Sequence, residues 1–427
     1  MSTSININLK HFAYQYCGVI LAVLLLCGQS LVSADEYHYN NILIGDRSSG
    51  MGGAYTAISE DPSGLYYNPA GIVYASGNNL SGSMNSYHNT STTYKDVLGG
   101  NQDWERKSSS ILPNFFGIIQ ALGEGKLGFS YAVTDDTLED QDQTFTNILT
   151  SLGVADTFKI NFNNQDTTFL LGPSYAKKIA DDLSIGITLY SYFRDQERIL
   201  NLLLTYPSGD YDWTNQYLHI KEFGLAPVLG AMWSPFDKVS LGMTIRKTVL
   251  LDSKTTLQNI CRGAVGSSCS SATVTESTVT SDEKLLYPLT MSFGAAYFVS
   301  NALLVSGDFS YYFGAGDGLS EKVATWNMAA GIEYYLNPDW ALRGGFFTNN
   351  ANTNELQSGI TTYNQPEHVD LYGGSFSVSH FSKSSSITLG VSLSMGDGKA
   401  QLISNTATLQ DTEMFSSTIF MSASYSY

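Results

Sequence analysis

The feature that most constrains this chain is an alternation of apolar and polar residues along many of its segments. In residues 183–190 every second residue is Leu or Ile, and the others are Ser, Gly, Thr and Tyr. The same pattern recurs in residues 239–245 and 387–395. Successive side chains of a β-strand point to opposite faces, so the pattern predicts strands with one apolar and one polar face. A soluble β-sandwich alternates in the same way, so alternation alone leaves two architectures open.

The position of charge separates the two architectures. Within the alternating segments, charged residues fall only on the polar face, at Arg246, Asp308, Glu333 and Arg343. A charge that faces lipid at the bilayer midplane costs about 2–4 kcal/mol, so a membrane barrel would tolerate these residues only toward its lumen. The rest of the polar face is Ser, Gly, Thr and Ala. Such small side chains leave volume inside a barrel for a channel or a plug.

Composition supports a membrane barrel. Hydrophobic residues make up 43% of the chain and charged residues only 14%, well below the roughly 25% charged residues of an ordinary soluble domain. The longest apolar runs fall short of the 18 residues expected of a membrane helix. With 39 Gly and 27 Tyr as well, the sequence predicts an all-β outer-membrane barrel.

The beginning of the chain is typical of an export signal. Lys10 and His11 precede an apolar run, and Val32-Ser33-Ala34 offers small residues for cleavage, so residues 1–34 are interpreted as a signal peptide.

Cleavage of the signal would leave two cysteines, Cys261 and Cys269, in a polar stretch rich in Ser and Gly. Because an exported chain meets an oxidising compartment, we expect these two cysteines to form a disulfide in an extracellular loop. A metal site is the weaker alternative, since no histidine lies nearby to complete a set of four ligands.

Turn signals give the number of strands. Six short turns are predicted, near residues 123–125, 181–182, 235–238, 300–301, 337–339 and 382–384. Short turns of this class of barrel face the periplasm and the longer connections face outward, so six turns predict fourteen antiparallel strands with both ends in the periplasm. The alternating last strand ends at Tyr427. A terminal aromatic residue of this kind is what the barrel-assembly machinery recognises.

The glycine-rich stretch at residues 45–72 precedes the predicted first strand. Gly50 and Gly52 begin a dinucleotide-like pattern, but Tyr55 occupies the position of its third glycine, so a nucleotide site is a weak interpretation. Irregular backbone cannot face lipid. We therefore expect residues 35–77 to form a hatch inside the lumen, where Gly50, Gly52 and Gly53 permit turns and close approach to the wall, and residues 78–427 to form the barrel.

Three stretches carry a resemblance to a known family. Residues 48–72, which include Asn68-Pro69-Ala70, resemble the N-terminal hatch of the outer-membrane long-chain fatty-acid transporter (FadL-type) family, and residues 287–297 and 336–347 are similar to other parts of it. The resemblance implies passive uptake of hydrophobic molecules through an extracellular groove, past the hatch, and sideways through a gap in the wall. Asn68, Pro69 and Ala70 match the hatch motif; a role as a rigid turn remains an equal alternative to a role in transport.

Two further features are candidates for function. Arg343 is predicted to face the lumen and to form an ion pair with a hatch acid, Glu60 or Asp61; the alternative is a carboxylate of the wall. In residues 144–154, four apolar residues follow helical spacing and predict a short extracellular helix that either captures acyl chains or packs on a neighbouring loop. These four residues are Phe145, Ile148, Leu149 and Leu152.

The sequence leaves a second function open, since a barrel of this fold could serve as a structural or secretion-associated component without its own substrate. An enzyme is the third possibility, but the five histidines beyond residue 34 lie in no recognisable catalytic motif. The net charge of −17 argues against a nucleic-acid partner. The expected partners are a hydrophobic small molecule, outer-membrane lipid, lipopolysaccharide and the barrel-assembly machinery. Neither a cofactor nor a metal ion is predicted.

Overall fold

The computed structural model describes residues 37–98, 101–150, 153–263, 269–317, 321–360, 365–402 and 408–427. The predicted signal peptide, residues 1–34, lies outside the described residues. Seventeen strands form one sheet. They are β1 Asn79–Tyr94, β2 Trp104–Leu122, β3 Gly125–Thr150, β4 Gly153–Lys178, β5 Leu183–Thr205, β6 Tyr211–Phe236, β7 Val239–Lys247, β8 Val249–Arg262, β9 Thr275–Ser281, β10 Leu289–Ser300, β11 Leu303–Tyr312, β12 Thr325–Asn337, β13 Trp340–Asn349, β14 His368–Val369, β15 Leu371–Phe381, β16 Ser385–Ala400 and β17 Gln410–Ser426.

The sheet closes on itself as an antiparallel barrel. Each wall strand pairs with its neighbours in chain order, β7 pairs with β10, and β17 pairs with β1 to complete the ring. Three strands take no separate position in the wall, because β8 continues β7, β14 continues into β15, and β9 pairs only with β8. The barrel therefore has fourteen strands, which confirms the number predicted from the turns.

The two ends of the barrel differ in the length of their connections. The six connections at one end span only residues 123–124, 179–182, 237–238, 301–302, 338–339 and 382–384. These are the short turns that the sequence predicts, and they mark the end expected to face the periplasm.

The wall is apolar outside and polar inside. On β5, Ile185, Ile187 and Leu189 are 45–47% exposed, whereas Ser184 and Thr188 of the same strand are fully buried. This arrangement is the reverse of a soluble protein, and a lipid-facing surface is the environment that makes it stable. The small polar residues of the alternating segments therefore face the lumen.

Aromatic residues flank the apolar outer surface, as in membrane barrels. On three adjacent strands the ring centroids of Phe169 and Phe193 lie 4.9 Å apart, and those of Phe193 and Phe223 lie 5.1 Å apart. At the end with the short turns, Trp340 contacts the ring of His380 at 4.6 Å. These features are those of an outer-membrane β-barrel.

Strands β3 to β6 contain 26, 26, 23 and 26 residues. A barrel strand needs about 9–11 residues to cross a bilayer, so these strands continue well beyond the membrane at the end opposite the short turns. Ion pairs occupy the inner face of this extension. Arg194 Nη2 lies 2.7 Å from Asp166, and Arg106 Nη2 lies 2.7 Å from Glu139.

Residues 37–77 precede β1 and contact inward-facing residues of the wall; we call this segment the hatch. Small hydroxyl side chains of the wall donate hydrogen bonds to hatch carbonyl oxygens, as Ser184 does to Ala70 at 2.9 Å and Ser240 does to Ala57 at 2.7 Å. Buried carbonyl groups need such partners. The small polar lumen residues thus hold the hatch backbone.

The hatch has little regular structure. It contains the four-residue helices α1 (Arg47–Gly50) and α2 (Gly64–Tyr67) and a 3₁₀ helix (Pro69–Tyr74). None of the helices in the described part of the chain is long and apolar enough to cross a membrane. Fully buried apolar side chains make up the interior of the hatch, including Ile44, Met51, Tyr55, Ile58, Leu65 and Ile72.

Candidate functional site

The glycines of the hatch let its backbone turn and contact the wall directly. Gly52 and Gly53 have φ angles of +66° and +84°, which residues with a side chain rarely adopt. A Cβ atom on Gly345 of β13 would lie 2.2 Å from the Gly52 nitrogen, and one on Gly50 would lie 2.1 Å from Ser377 Oγ. The hatch is thus packed against β13 and β15 at backbone distance.

Asn68 joins two parts of the hatch to the wall. Its Oδ1 accepts a hydrogen bond from the Ala70 backbone N–H at 3.1 Å, which caps the 3₁₀ helix that begins at Pro69. Its Nδ2 donates to the carbonyl oxygens of Thr56, at 2.8 Å, and of Ala231 in β6, at 3.0 Å. Because Asn68 is fully buried, these bonds make it a cross-link between the hatch and β6.

Two wall glycines receive the Asn68-Pro69-Ala70 turn. Gly186 of β5 and Gly230 of β6 are paired across the strands. A Cβ atom on Gly186 would lie 2.5 Å from the Pro69 carbonyl carbon, and one on Gly230 would lie 2.1 Å from Asn68 Oδ1. The three-residue motif therefore fits a glycine-lined depression in the wall.

Arg343 faces the lumen and is only 3% exposed, but its ion-pair partner differs from the predicted hatch acids. Its Nε lies 2.5 Å from Glu333, a carboxylate of neighbouring β12. Glu333 also accepts from Arg47 of the hatch at 2.7 and 2.8 Å, and Arg47 binds Glu60 at 2.6 Å. The expected direct pair with Glu60 or Asp61 is wrong, and the stated alternative, a carboxylate of the wall, is the partner of Arg343. Glu333 lies between the two guanidinium groups and accepts hydrogen bonds from both.

Asp61 takes part in a hydrogen-bonded cluster within the hatch. It accepts from the Tyr55 hydroxyl at 2.7 Å and from the Ser63 backbone N–H at 2.8 Å. Burial, and then the charge of Asp46, raise the pKa of Asp61. The hatch therefore holds an acid that ionises less readily than an exposed aspartate.

The barrel wall has a gap between β2 and β3. These strands pair from Leu122–Gly125 up to Phe115–Ala132, and they pair again only at Ser108–Glu139. Residues 109–114 and 133–138, all of them described, form no ladder between those points. Six residues of strand correspond to an unpaired stretch about 20 Å long.

Local features of both strands explain the gap. Pro113 of β2 has no N–H to donate to a ladder. The pairing of β3 with β4 shifts register between Val133 and Asp135, a β-bulge that bends the strand. Between the gap and the short turns the outward side chains are apolar, such as Phe116. On the other side of the gap they are charged, such as Asp140. The gap therefore lies at the upper edge of the lipid-facing surface.

A cavity of about 250 Å³ lies in the lumen behind this gap. Thr134 and Asp135, two residues of the unpaired part of β3, line it directly. Its other walls are rich in aromatic rings from the hatch and from the strands. They include Tyr39, Tyr66, Tyr67, Tyr287, Tyr312 and Phe347. Polar and charged side chains complete the lining, among them Asp135, Arg194 and Asp308. A concave site that combines aromatic rings with converging polar groups is typical of small-molecule binding.

Apolar side chains also cover the inner surface at the gap. Ile42 and Ile44 of the hatch form a buried cluster with Phe115, Ala132 and Val133, which flank the unpaired stretch. The cavity and the gap thus share an apolar surface.

Residues 37–44 of the hatch separate this cavity from a second one. Asn40, Asn41 and Leu43 line both. The second cavity measures about 90 Å³. Hydroxyl groups of β1, β16 and β17 border part of it, together with charged side chains such as Arg106 and Glu139. The hydroxyl residues are Thr90, Thr92, Ser392, Ser394, Ser416 and Thr418. The lumen therefore contains two cavities that share part of the hatch as a wall.

The dividing segment is attached to the wall on several sides. His38 Nε2 lies 2.6 Å from the Val369 carbonyl oxygen, and the Tyr39 ring stacks on Tyr312 at 4.3 Å. Asn114, in the gap, donates from Nδ2 to the Leu43 carbonyl oxygen at 3.0 Å.

The predicted capture helix is wrong. Residues Phe145 to Thr150 are the end of β3, which pairs with β4 through residues such as Phe145–Phe158 and Ile148–Ala155. An isolated helix of eight residues is marginal in water, whereas the long hairpin supplies partners for the backbone.

Phe145 and Ile148 are buried in a cluster with residues of β4 and β5, packed against Leu98 and Trp104. The backbone of Leu149 pairs with Val154, and Leu152 lies outside the described residues.

The structure contains the predicted disulfide between Cys261 and Cys269. Cys261 lies near the end of β8, in the β8–β9 hairpin on the side of the long connections. The bridge therefore lies at the end of the barrel opposite the short turns, where the extracellular loop was expected.

Sequence reasoning missed the position of the gap and the two cavities of the lumen, and it gave a wall carboxylate only as the alternative partner of Arg343. Pro113, within an otherwise regular strand pattern, was an available signal for the gap, since proline weakens a strand assignment in the middle of a sheet. The other two features depend on contacts between residues far apart in sequence.

Comparison with known proteins gives likenesses of structure only. No protein-family model and no curated protein matches the sequence. A Pseudomonas aeruginosa FadL homologue is similar with a TM-score of 0.60 and 14% identity, over 89% of this chain and 98% of that one. The Pseudomonas putida toluene transporter TodX is similar with a TM-score of 0.63 and 16% identity, over 90% of this chain and 98% of that one. The Ralstonia pickettii toluene transporter TbuX is similar with a TM-score of 0.61 and 15% identity, over 90% of this chain and 98% of that one. The chain thus has the fold of the FadL-type barrels.

Proposed function

We propose that this chain is an outer-membrane channel for passive uptake of hydrophobic small molecules, such as long-chain fatty acids. The observation that carries the proposal is the aromatic cavity that reaches the unpaired stretch of β3 at Thr134 and Asp135. Solved channels of the same fold are described as transporters of toluene or monoaromatic hydrocarbons, which supports a hydrophobic cargo. Because these relatives are channels, we extend no catalytic role to the chain.

The proposed route begins at the extracellular extension and passes through the cavity to the gap. A hydrophobic molecule in the cavity has two exits. The route through the hatch would break buried hydrogen bonds such as that between Asn68 and Ala231, and an unpaired buried polar group costs about 1–3 kcal/mol. The route through the gap leads along apolar side chains into lipid. The sideways exit is therefore the favoured one.

In this proposal the hatch blocks the straight path to the periplasm. Gly50, Gly52 and Gly53 place it against β13 and β15, and Asn68-Pro69-Ala70 attaches it to β5 and β6. Contacts on opposite sides of the lumen hold it in place. The hatch would then direct a hydrophobic cargo sideways and prevent leakage of polar solutes.

Filling the cavity tests the proposed function. Ala226 of β6 is buried and lines the cavity, so Ala226→Trp should place an indole ring in the path of the cargo. Leu225 is adjacent and faces the opposite side of the strand, so Leu225→Trp is the matched control with the same added ring toward lipid. The assay is uptake of a labelled long-chain fatty acid by cells that depend on this protein, at matched amounts in the outer membrane.

We expect uptake to fall at least about tenfold in Ala226→Trp, because the larger side chain occupies the cavity, and to remain unchanged in Leu225→Trp. Equal uptake by wild type and Ala226→Trp would contradict the transport route. Cells that take up no more fatty acid with the protein than without it would favour a structural component without its own substrate.

A further inference from the structure

The outward side of the extension formed by β3 to β6 carries aromatic rings beyond the lipid-facing surface. On β6 the outward residues alternate with buried ones from Tyr211 to Phe223. Phe223 belongs to the aromatic residues that flank the lipid-facing surface, where its ring centroid lies 5.1 Å from that of Phe193. Beyond Phe223 the outward positions of β6 include Tyr217, Trp213 and Tyr211. We call the outward side of β3 to β6 beyond Phe223 the extension face.

The rings of the extension face lie above the bilayer. Tyr217 is six residues and Trp213 is ten residues from Phe223 along β6. A rise of about 3.3 Å per residue and a strand tilt of about 45° place them roughly 14 and 23 Å beyond the level of Phe223. Packing inside the extension does not require these rings, because the buried side chains belong to the opposite side of the strand. Aromatic surface that is turned away from the core and from the acyl chains indicates a further binding partner.

A row of polar side chains crosses the extension face between these rings. Its members are paired in register on four adjacent strands and are Asp142, Asn161, Asn201 and Asn215. Asn215 Nδ2 donates to Asn201 Oδ1 at 2.7 Å, and Asn201 Nδ2 donates to Asn161 Oδ1 at 3.4 Å. Asn161 Nδ2 donates in turn to Asp142 Oδ1 at 2.8 Å. Because each side chain is oriented by the next, the row presents its polar groups in fixed positions.

The row offers both donors and acceptors to a ligand. An amide carries two N–H donors and a carbonyl oxygen with two lone pairs. Within the described part of the chain, the row itself uses one donor and one lone pair of Asn161 and of Asn201. Sugar hydroxyl groups donate and accept in the same way, and the C–H faces of a sugar ring are apolar and stack on aromatic rings. Trp213 and Tyr217 flank Asn215 on the outward side of β6, so rings and amides alternate as a saccharide requires.

The charged groups beside the rings are paired with neighbours of the same face. His219 Nε2 lies 3.0 Å from Asp195 Oδ1, and Lys221 Nζ lies 3.6 Å from Asp195 Oδ2. Arg262 Cζ lies 5.5 Å from the centroid of the Tyr211 ring. Recognition of phosphate depends on cations that are free to bind it, and salt screens exposed pairs. This part of the face therefore suits neutral sugars better than phosphate groups.

We propose that the extension face binds the core sugars of the lipopolysaccharide that surrounds the barrel in the outer leaflet. The position of the face identifies the occupant. It continues the lipid-facing surface of the same strands, so the molecule beside it is the glycolipid whose acyl chains contact outward residues such as Leu229. Trp213 and Tyr217 stack on sugar rings, and the amide row binds hydroxyl groups. The site lies outside the barrel and acts independently of the cargo.

Binding of two lipopolysaccharides to the purified protein in a neutral detergent tests this site. One has a complete core, and the other, of the deep-rough type, has the same lipid but lacks the core sugars beyond the innermost ones. The variants are Trp213→Ala, Tyr217→Ala and Asn215→Ala. The matched control is Trp326→Ala, which removes an outward indole, 43% exposed, from β12, away from the extension face.

We expect wild type and Trp326→Ala to bind the complete-core form at least about tenfold more tightly than the deep-rough form. Each variant of the extension face should weaken binding of the complete-core form roughly 2- to 10-fold, the range for one stacked ring or one hydrogen bond, and leave the deep-rough form unchanged. The core oligosaccharide released from its lipid should compete with the complete-core form. The comparison of the two forms on wild type remains available if a variant does not fold.

Equal affinity of wild type for the two lipopolysaccharides would overturn the site and leave the channel proposal intact. Equal competition by dextran, a neutral glucan, would also overturn it, since the face would then bind sugars without selecting the core. A change of oligomeric state in Trp213→Ala, measured by analytical ultracentrifugation in detergent free of lipopolysaccharide, would overturn it and identify the face as a contact between copies of the chain.

Discussion

Substitution of Glu333 by Gln should release the hatch from one side of the lumen. Glu333 is only 1% exposed and accepts hydrogen bonds from Arg47 of the hatch and from Arg343 of the wall. Gln has no charge, so the variant leaves two guanidinium groups in a buried site with only Glu60 close to one of them. Breaking a buried ion pair in this way costs about 3–5 kcal/mol.

The fourteen strands do not depend on this contact, so the cost should appear as opening of the hatch. A tenfold change in an equilibrium corresponds to 1.4 kcal/mol, so a cost of about 3–5 kcal/mol should raise the population of the open hatch by roughly 10²- to 4 × 10³-fold. Hydrogen exchange of backbone amides in residues 45–60 measures that population directly. The control is Glu413→Gln, which removes a largely exposed carboxylate of the wall paired with Lys95.

Hydrogen exchange of the hatch amides in Glu413→Gln should match wild type, since exposed ion pairs contribute little to stability. Exchange of the hatch amides in Glu333→Gln within tenfold of wild type would refute the reasoning. It would mean that the ion-pair chain across Glu333 does not hold the hatch.

The remaining predictions concern the hatch and the extracellular hairpin. Deletion of residues 45–72 should leave a barrel that inserts, admits a small polar dye and loses selective fatty-acid uptake; unchanged uptake would argue against a role of the hatch in transport. Replacing Cys261 and Cys269 by Ser should increase proteolysis in their hairpin without changing the unfolding temperature of the barrel, and peptide mass spectrometry of the wild type should find the bridge and not two free thiols. Burial and then the charge of Asp46 raise the pKa of Asp61 above 3.8, so the protonated form stabilises the folded hatch. That stabilisation is complete below about pH 4 and is lost as pH rises through the raised pKa. Protection of the hatch amides, taken relative to their intrinsic exchange rates at each pH, should therefore fall over this range in wild type and stay constant in Asp61→Asn.

The barrel could be predicted from sequence because its determinants are local. Strand faces follow from period-two alternation, and a tight turn is marked by its own residues, as at Asn337-Pro338-Asp339. The lumen position of Arg343 follows from the same parity argument. The identity of its ion-pair partner cannot be predicted in this way. Glu333 faces the lumen by the same parity, and Glu60 and Asp61 lie in the hatch, so all three carboxylates are possible partners.

Two features show where local reasoning fails. The spacing of Phe145 and Ile148 matches a helix, but pairing with a strand that begins after the next turn decides the backbone conformation. The gap between β2 and β3 depends on two distant strands that fail to pair, and only Pro113 marks it locally. Sequence therefore predicts the wall better than the opening in it.

The most direct test of the proposed route is to close the gap chemically. If the register of the flanking pairs continued, Ile111 of β2 would face Asp136 of β3 across the opening. The two cysteines outside the predicted signal already form a disulfide, so Ile111→Cys with Asp136→Cys provides the two free thiols needed for a short bifunctional crosslinker.

The single variants treated with the same reagent are the controls, and uptake of a labelled long-chain fatty acid is the measurement. Sideways exit through the gap predicts that crosslinking the double variant abolishes most uptake, that cleaving a reducible crosslinker restores it, and that the single variants stay unaffected. Full uptake through a barrel whose gap is crosslinked to completion would contradict the account.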